Sequence, residues 1–371
     1  ARGPALRRLT VVQLLPALHS GGVERSTLEI AEALVAAGHA SHVVSAGGRL
    51  VPALEAGGST HHALPIGAKS LATPFKVFAL RRLLRALKPD IVHARSRLPA
   101  WVALGALRGL SPRPRFITTV HGLNSPGHYS GVMARGDAVI CVSDTVRDYV
   151  RHHWPAAEPR LVVIPRGVDP AAFPRHARPD PSARAAVLAE LALPDDTRLL
   201  LMPGRGTRLK GHADAIALLA DLRAQGVPAA LWLLGTDEPG REAYVGELRA
   251  LAAARGVESA LRVSPPRSEV VRAYAASDLV LQLSRKPEAF GRTVIEALSV
   301  GAPVLGWGHG GVGEQLAALQ PDGAVPLGDA AALLRRARAL LEAPPAAPAH
   351  SPYTRAAMQQ ATRETYARHA G

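Results

Sequence analysis

A chain of 371 residues, 47% apolar and 20% charged, is long enough for two domains with sizeable cores and too apolar to be disordered. Its one cysteine, Cys141, lies in a strand-like run and excludes an internal disulfide, which fits a reducing compartment. The net charge of +14, carried by 39 arginines and five lysines against 30 acids, calls either for a polyanionic partner or for a GC-rich codon bias; composition alone leaves both open.

Aromatic residues are scarce, at 4%, and no helix-turn-helix, zinc-finger or RNA-recognition signature occurs, which argues against a nucleic-acid partner. No run of about eighteen apolar residues is present. The first residues lack a small-residue cleavage site behind their short apolar stretch, so the expected location is the cytoplasm.

In chain order the first half alternates strand and helix. LTVVQLL is followed by a helix over residues 23–37, then SHVVSA, HHALPI, a helix over 71–87, DIVHA, a helix over 101–107, FITTVHG, AVICVS, a helix over 144–153 and LVVIPRG. The second half repeats the grammar. RLLLMPG, AALWLLG, LRVSP, LVLQLS, APVLG and AVPL are separated by helices over 212–224, 241–254, 269–276, 293–298 and 314–319, with another over 330–341 behind them.

Short apolar strands joined by helices imply right-handed crossovers and parallel sheets covered on both faces. The expected fold class is therefore α/β, with two Rossmann-like domains whose strand ends face a cleft. The proline-dense DPAAFPRHARPDPSAR reads as the linker, giving domains 1–173 and 174–352. A last helix is expected over 353–369, and the resemblance drawn below implies that the segment 353–371 crosses back onto the first domain. Residues 76–88 combine Lys76, Arg81, Arg82, Arg85 and Lys88 with apolar neighbours, a basic amphipathic helix suited to an anionic membrane face or acceptor.

Chemistry is expected at the C-terminal ends of strands. Gly21 and Gly22 open the first helix, either as a plain turn or to leave amides free for a phosphate. His121, before Gly122, ends the FITTVHG strand and is either a structural histidine or a cleft residue. Ser143 before Asp144 reads as a helix cap. Arg166 closes the last strand of the first domain.

In the second half PGRGTRLKG places Arg205 and Lys210 on a glycine-rich loop that enters a helix. Such cations can neutralise a diphosphate leaving group, with a solvated loop as the alternative. KPEAFGRTVIEAL holds Glu288 and Glu296 eight positions apart. One lies on a loop and the other early in a helix, where carboxylates accept sugar hydroxyls well, unless both are merely solvated. HGGVGE adds Gly310, Gly311 and Glu314. No D-x-D triplet and no Cys/His metal spacing occurs, so no metal is expected.

Taken together, Gly21-Gly22, His121-Gly122, Arg205, Lys210, Glu288 with Glu296, and Gly310-Gly311-Glu314 resemble the motif series of the retaining glycosyltransferase family 4, with its two-domain GT-B fold. E-A-F-G-R-T-V-I-E-A-L followed by G-A-P-V is the most specific segment, and the resemblance covers nearly the whole chain in order.

The resemblance implies that Arg205 and Lys210 bind the donor diphosphate, that Glu288 holds the donor sugar and that Glu296 holds the ribose. His121 would lie near the sugar's C6 hydroxyl, and the Gly21-Gly22 loop would approach the phosphates and acceptor. Phe290, Gly291, Arg292 and Thr293 join the donor-binding set. The first domain would serve the acceptor and the second a nucleoside-diphosphate sugar, a UDP-sugar in first place with GDP- and ADP-sugars as alternatives, without a cofactor.

A further likeness to bacterial enzymes of lipopolysaccharide core or envelope glycans implies a glycan or glycolipid acceptor at the inner face of the cytoplasmic membrane. GTDEPG and Trp307 depart from the family pattern. The rivals are a sugar-nucleotide epimerase and a non-catalytic glycan- or lipid-binding protein on the same scaffold. A dehydrogenase is distant, because the glycine fingerprint is missing.

Overall fold

The computed structural model describes residues 7–68, 70–176 and 178–370, and the chain divides into two compact units. Lys69, counted among the five lysines, and the chain ends of the expected first domain lie outside the described residues. The first unit comprises residues 1–166 and 355–371, and the second residues 167–354.

Among the described residues the first unit holds seven parallel strands: β1 (Thr10–Leu14), β2 (Ala40–Ser45), β3 (Thr60–Ala63), β4 (Ile91–Ala94), β5 (Arg115–Val120), β6 (Ala138–Cys141) and β7 (Leu161–Val163), in the order β3-β2-β1-β4-β5-β6-β7. Its helices are α1 (Gly22–Ala36), α2 (Val51–Ala56), α3 (Thr73–Leu87), α4 (Arg97–Leu107) and α5 (Asp144–His153). In the second unit β8 (Arg198–Pro203), β9 (Ala229–Leu234), β10 (Leu261–Ser264), β11 (Leu279–Gln282), β12 (Val304–Trp307) and β13 (Ala324–Val325) pair in the order β10-β9-β8-β11-β12-β13. Around that sheet lie α6 (Pro181–Glu190), α7 (His212–Ala224), α8 (Glu242–Ala254), α9 (Val271–Ala276), α10 (Arg292–Val300), α11 (Gly310–Leu319) and α12 (Ala330–Glu342). The last helix, α13 (Arg355–Ala370), belongs to the first unit.

Strands covered on both faces must be apolar throughout, and every residue of β9, AALWLL, is buried. In both sheets the order reverses beside the first strand of the unit, at β1/β4 and at β8/β11. There, consecutive helices cross to opposite faces and leave a crevice beyond the strand C-termini.

Two helices were hidden by composition. α2 is short, and α6 starts inside the proline-dense segment read as linker. Asp180 caps α6 by accepting from the Ala183 amide at 2.8 Å, and Pro181 occupies the first helical position, where its missing N–H costs nothing. The basic helix α3 also differs from expectation at Lys76. This residue is buried and its Nζ donates to the Ala68 carbonyl at 2.7 Å, so it does not join the outward charges.

α13 is fixed by a buried polar chain. Arg95 can only donate, and it bonds the Tyr366 hydroxyl. The Tyr366 hydroxyl lies 2.5 Å from His93 Nδ1, and His93 Nε2 lies 2.6 Å from Thr119 Oγ1. Arg95 Nε donates to Gln13 Oε1 at 2.8 Å. Burial holds the His93 pKa well below its usual value, consistent with a neutral ring, and pushes the Tyr366 phenol up to about 12.

Tyr366→Phe strands a buried guanidinium and an imidazole nitrogen. It should lower the unfolding free energy of the first unit by about 1–3 kcal/mol, read by urea denaturation of the variant against the parent.

Candidate active site

In the second unit the site is assembled from the loops that follow β8, β11 and β12. β8 pairs β11 and β11 pairs β12, all parallel, so the three loops leave the same edge of the sheet side by side. The β8 loop runs from Gly204 through a single 3-10 turn, Arg208–Lys210, to Gly211, which caps α7. Gly211 has φ 81°, and a Cβ there would lie 2.0 Å from the Leu283 carbonyl oxygen. Only glycine lets the two loops approach so closely. The Arg285 amide, donating to the Leu209 carbonyl at 2.8 Å, ties them again.

Across this seam Lys210 Nζ donates to Glu288 Oε1 at 2.5 Å, with the two side chains 31% and 20% exposed. Ser284 Oγ lies 2.5 Å from the same carboxylate oxygen and 3.0 Å from Gln282 Oε1. His309, which caps α11, donates from Nε2 to the Ser284 carbonyl at 2.7 Å. Glu288 is thus held from two sides while part of its surface stays open. Arg205 is exposed on the same β8 loop, and its side chain makes no hydrogen bond or ion pair among the described residues.

Gly291, with φ 84°, caps α10 and leaves the amides at that helix start available. Thr293 is half-buried in the first turn. Phe290 and Arg292 each have a partner in the second unit. Phe290 packs edge-on against Tyr353 with ring centroids 5.9 Å apart, and Arg292 Nη1 donates to the Gly167 carbonyl at 3.3 Å.

Glu296 is only 9% exposed, with the Tyr274 hydroxyl 3.3 Å from Oε2. Neither glutamate is a solvated helix-face residue. Gly310 and Gly311 serve close packing: added Cβ atoms would lie 2.8 Å from the Glu288 amide and 2.5 Å from the Phe290 carbonyl. The Gly311 amide donates to the Glu288 carbonyl at 2.8 Å. Glu314 is the fifth residue of α11 rather than its cap.

In the first unit three residues singled out from sequence meet. Arg166 Nη2 donates to His121 Nδ1 at 2.7 Å, and a Cβ on Gly22 would lie 2.3 Å from Arg166 Nη1. Gly22 therefore makes room for the guanidinium. Because a guanidinium cannot accept, Nδ1 of His121 accepts, and the neutral ring carries its proton on Nε2. Gly21, at φ 136°, caps α1. Ser143 caps α5 by accepting from the Val146 amide at 3.1 Å, as its sequence position indicated.

Sequence reasoning missed Ser284, Gln282, His309 and His212. Gln282 at the end of β11, Ser284 and His309 just beyond β11 and β12, and His212 at the start of α7 had only those places to point to them. His212, the first residue of α7, is fully buried; Nδ1 lies 3.1 Å from the Tyr244 hydroxyl and Nε2 3.3 Å from Thr236 Oγ1. Burial, with Lys210 adding repulsion, lowers its pKa to about 4.

The unfolded chain binds this proton near pH 6.5 and the folded one only near 4, so the stability held by neutral His212 is complete above 6.5 and lost as pH falls toward 4. Over that window His212 should contribute about 3 kcal/mol of acid sensitivity. Urea unfolding at several pH values should show a shallower acid slope for His212→Gln.

Comparison with known proteins follows this geometry. The model for Glycosyltransferase Family 4 matches residues 20–172, and that for Glycosyl transferases group 1 matches residues 184–364. A D-inositol 3-phosphate glycosyltransferase of Xylanimonas cellulosilytica is 34% identical over 184 residues, which is 49% of this chain and 43% of that protein. The chain thus spans less than half the length of this relative.

A crystal structure of a glycosyltransferase from Rickettsia africae ESF-5 superposes with a TM-score of 0.83 at 25% identity, over 98% of each chain. Anabaena HepE, solved in complex with UDP and glucose, superposes at 0.78 with 20% identity, over 96% of this chain and 99% of its own. With the two family models running from residue 20 to 364 save for 173–183, and with two parallel sheets that superpose on these structures, the chain belongs to glycosyltransferase family 4 and has the GT-B fold.

Proposed function

We propose that this enzyme moves a sugar from a nucleoside-diphosphate sugar to a hydroxyl of a glycan or glycolipid acceptor, with retention of anomeric configuration and without a metal ion. The observation that carries the reading is the Lys210–Glu288 pair at adjacent strand ends, with Arg205 exposed on the same loop. A carboxylate is a poor neighbour for a diphosphate and a good acceptor for sugar hydroxyls. Lys210, bonded to Glu288, separates the two charges, so a donor can place its sugar on Glu288 and its phosphates on Lys210 and Arg205.

The second unit is then the donor domain and the first the acceptor domain. Glu296 serves the ribose and the α10 amides the phosphates. His121, its proton on Nε2, is a hydrogen-bond donor suited to a sugar hydroxyl. UDP, the nucleotide bound by HepE, is the preferred leaving group.

In the reaction the acceptor oxygen forms a bond to the anomeric carbon on the face from which the diphosphate departs. The C1–O bond breaks, its electron pair stays on the phosphate, and that phosphate oxygen takes the acceptor proton. Lys210 and Arg205 lower the barrier by meeting charge as it develops. With no D-x-D triplet in the sequence, side-chain cations rather than a bridging metal carry that role.

A second reading of the acceptor has its own support. The Xylanimonas relative is named for D-inositol 3-phosphate, so a small phosphorylated polyol stands beside a lipopolysaccharide-type glycolipid at the cytoplasmic membrane face. An acceptor screen with one donor separates the two, and sugar epimerised without any acceptor would instead point to an epimerase.

Lys210→Ala and Arg205→Ala should each lower kcat by about 10²–10³-fold while circular dichroism stays unchanged. Near-normal turnover in both would reject the diphosphate role. Glu288→Ala should lose donor-induced thermal stabilisation, whereas a chelator should leave turnover intact.

A further inference from the structure

The positive charge of this chain is not spread evenly. Residues 56–136 hold twelve lysines and arginines and a single acid, Asp90, so eleven of the fourteen net positive charges fall in less than a quarter of the chain. Codon bias does not explain the absence of acids from one segment. Asp90 is itself neutralised by Arg7 at 2.5 Å.

Within this segment α3 has two distinct faces. Lys76, Leu80 and Leu84 are buried, and Arg81 is spent on the Gly105 and Ala106 carbonyls of α4, at 2.7 and 3.1 Å. On the other side Phe75 and Phe78 are 74% and 62% exposed, in line with exposed Arg82 and Arg85 one and two turns further on. Leu71, just ahead of the helix, is fully exposed. These are three of the five large hydrophobic residues that the described structure exposes; the other two, Leu209 and Leu327, lie in the second unit. The side chain of Arg82 makes no hydrogen bond or ion pair among the described residues, and Arg85 reaches only the Gly109 carbonyl, at 3.4 Å.

We propose that this outward face of α3, Phe75, Phe78, Arg82 and Arg85 with Leu71 ahead of them, docks on an anionic lipid bilayer. The rings enter the headgroup boundary and the guanidiniums meet lipid phosphates. This deepens the membrane side of the function proposed above and rests on that part of it alone. A basic face edged with aromatic and aliphatic side chains fits an anionic interface, because apolar insertion and charge attraction act together there. No helix of the described residues is long and apolar enough to cross the membrane, so attachment through α3 is reversible and in the plane of the interface. A second copy of the chain would bring Arg82 and Arg85 against like charge.

The test is co-sedimentation of the full chain with vesicles of phosphatidylcholine alone and with about 30 mol% phosphatidylglycerol, in low and high salt. The parent should bind the anionic vesicles only, and less in high salt. Arg82→Glu with Arg85→Glu should weaken binding by about thirtyfold or more, and Phe75→Ser with Phe78→Ser by about tenfold or more.

In both variants a nucleotide sugar should stabilise the protein thermally as it does the parent, so loss of lipid binding is separable from failure of the donor site. Absent or lipid-independent binding by the parent, or variants that bind as the parent does, overturns the proposal. A parent dimer in light scattering that the Phe75→Ser, Phe78→Ser variant dissociates would also overturn it, and would assign the face to self-association.

Discussion

The second unit is organised around one short ion pair, Lys210 Nζ to Glu288 Oε1 at 2.5 Å. Its partners are 78 residues apart, and they meet because β8 and β11 are parallel neighbours at the centre of the sheet. A partly exposed pair of this kind adds little net stability. Its effect is positional. With Ser284 on the same carboxylate oxygen, it fixes a cation beside a partly exposed carboxylate, the arrangement that the proposed diphosphate and sugar contacts need. The surrounding contacts serve that position: Gly211 pressed on Leu283, the Arg285 amide on the Leu209 carbonyl, and Gly310 and Gly311 against the loop that carries Glu288. The cost of closing such a loop seam is met once, by rigid strands, rather than at each binding event.

The first unit uses a different device. Arg95, Tyr366, His93 and Thr119 form a buried hydrogen-bonded chain that begins at a guanidinium, which can only donate. The same small cavity is lined by His93, Arg95, Thr119, His121 and Arg166. The network that docks α13 therefore also borders the histidine that Arg166 orients. Loss of one member would be felt at the strand ends through unsatisfied buried groups rather than through direct contact.

The alternation of β-branched runs and periodic helices made both sheets readable, because parallel strands covered on two faces have no polar positions to spare. Strand-end motifs were readable for the same reason: the sheet decides where loops emerge. What escaped was local. α6 starts within proline-rich sequence, where Asp180 and Pro181 act as a start signal and not as a break. Phe290 and Arg292 sit inside the most specific motif, and their contacts with Tyr353 and the Gly167 carbonyl are set by the fold and not legible from the motif's spacing. Ser284 and His212 carry no motif of their own and are defined only by what the fold brings beside them.

Charge in this chain falls into two populations that ionic strength should separate. Lys210 and Glu288 are close and partly desolvated, and salt screens such a pair weakly. The excess between residues 56 and 136 is different, because its outward members are exposed and act over distances comparable with the Debye length, about 8 Å at physiological salt. Lys76, Arg81 and Arg95 of this segment are spent on partners inside the fold, which leaves exposed members such as Arg82 and Arg85 for the bilayer proposed above. In the function and the docking face proposed above, donor binding and surface attachment therefore rest on separate charges. Evolution can change one without disturbing the other, as the exposed Arg82 and the half-buried Lys210 share no partner.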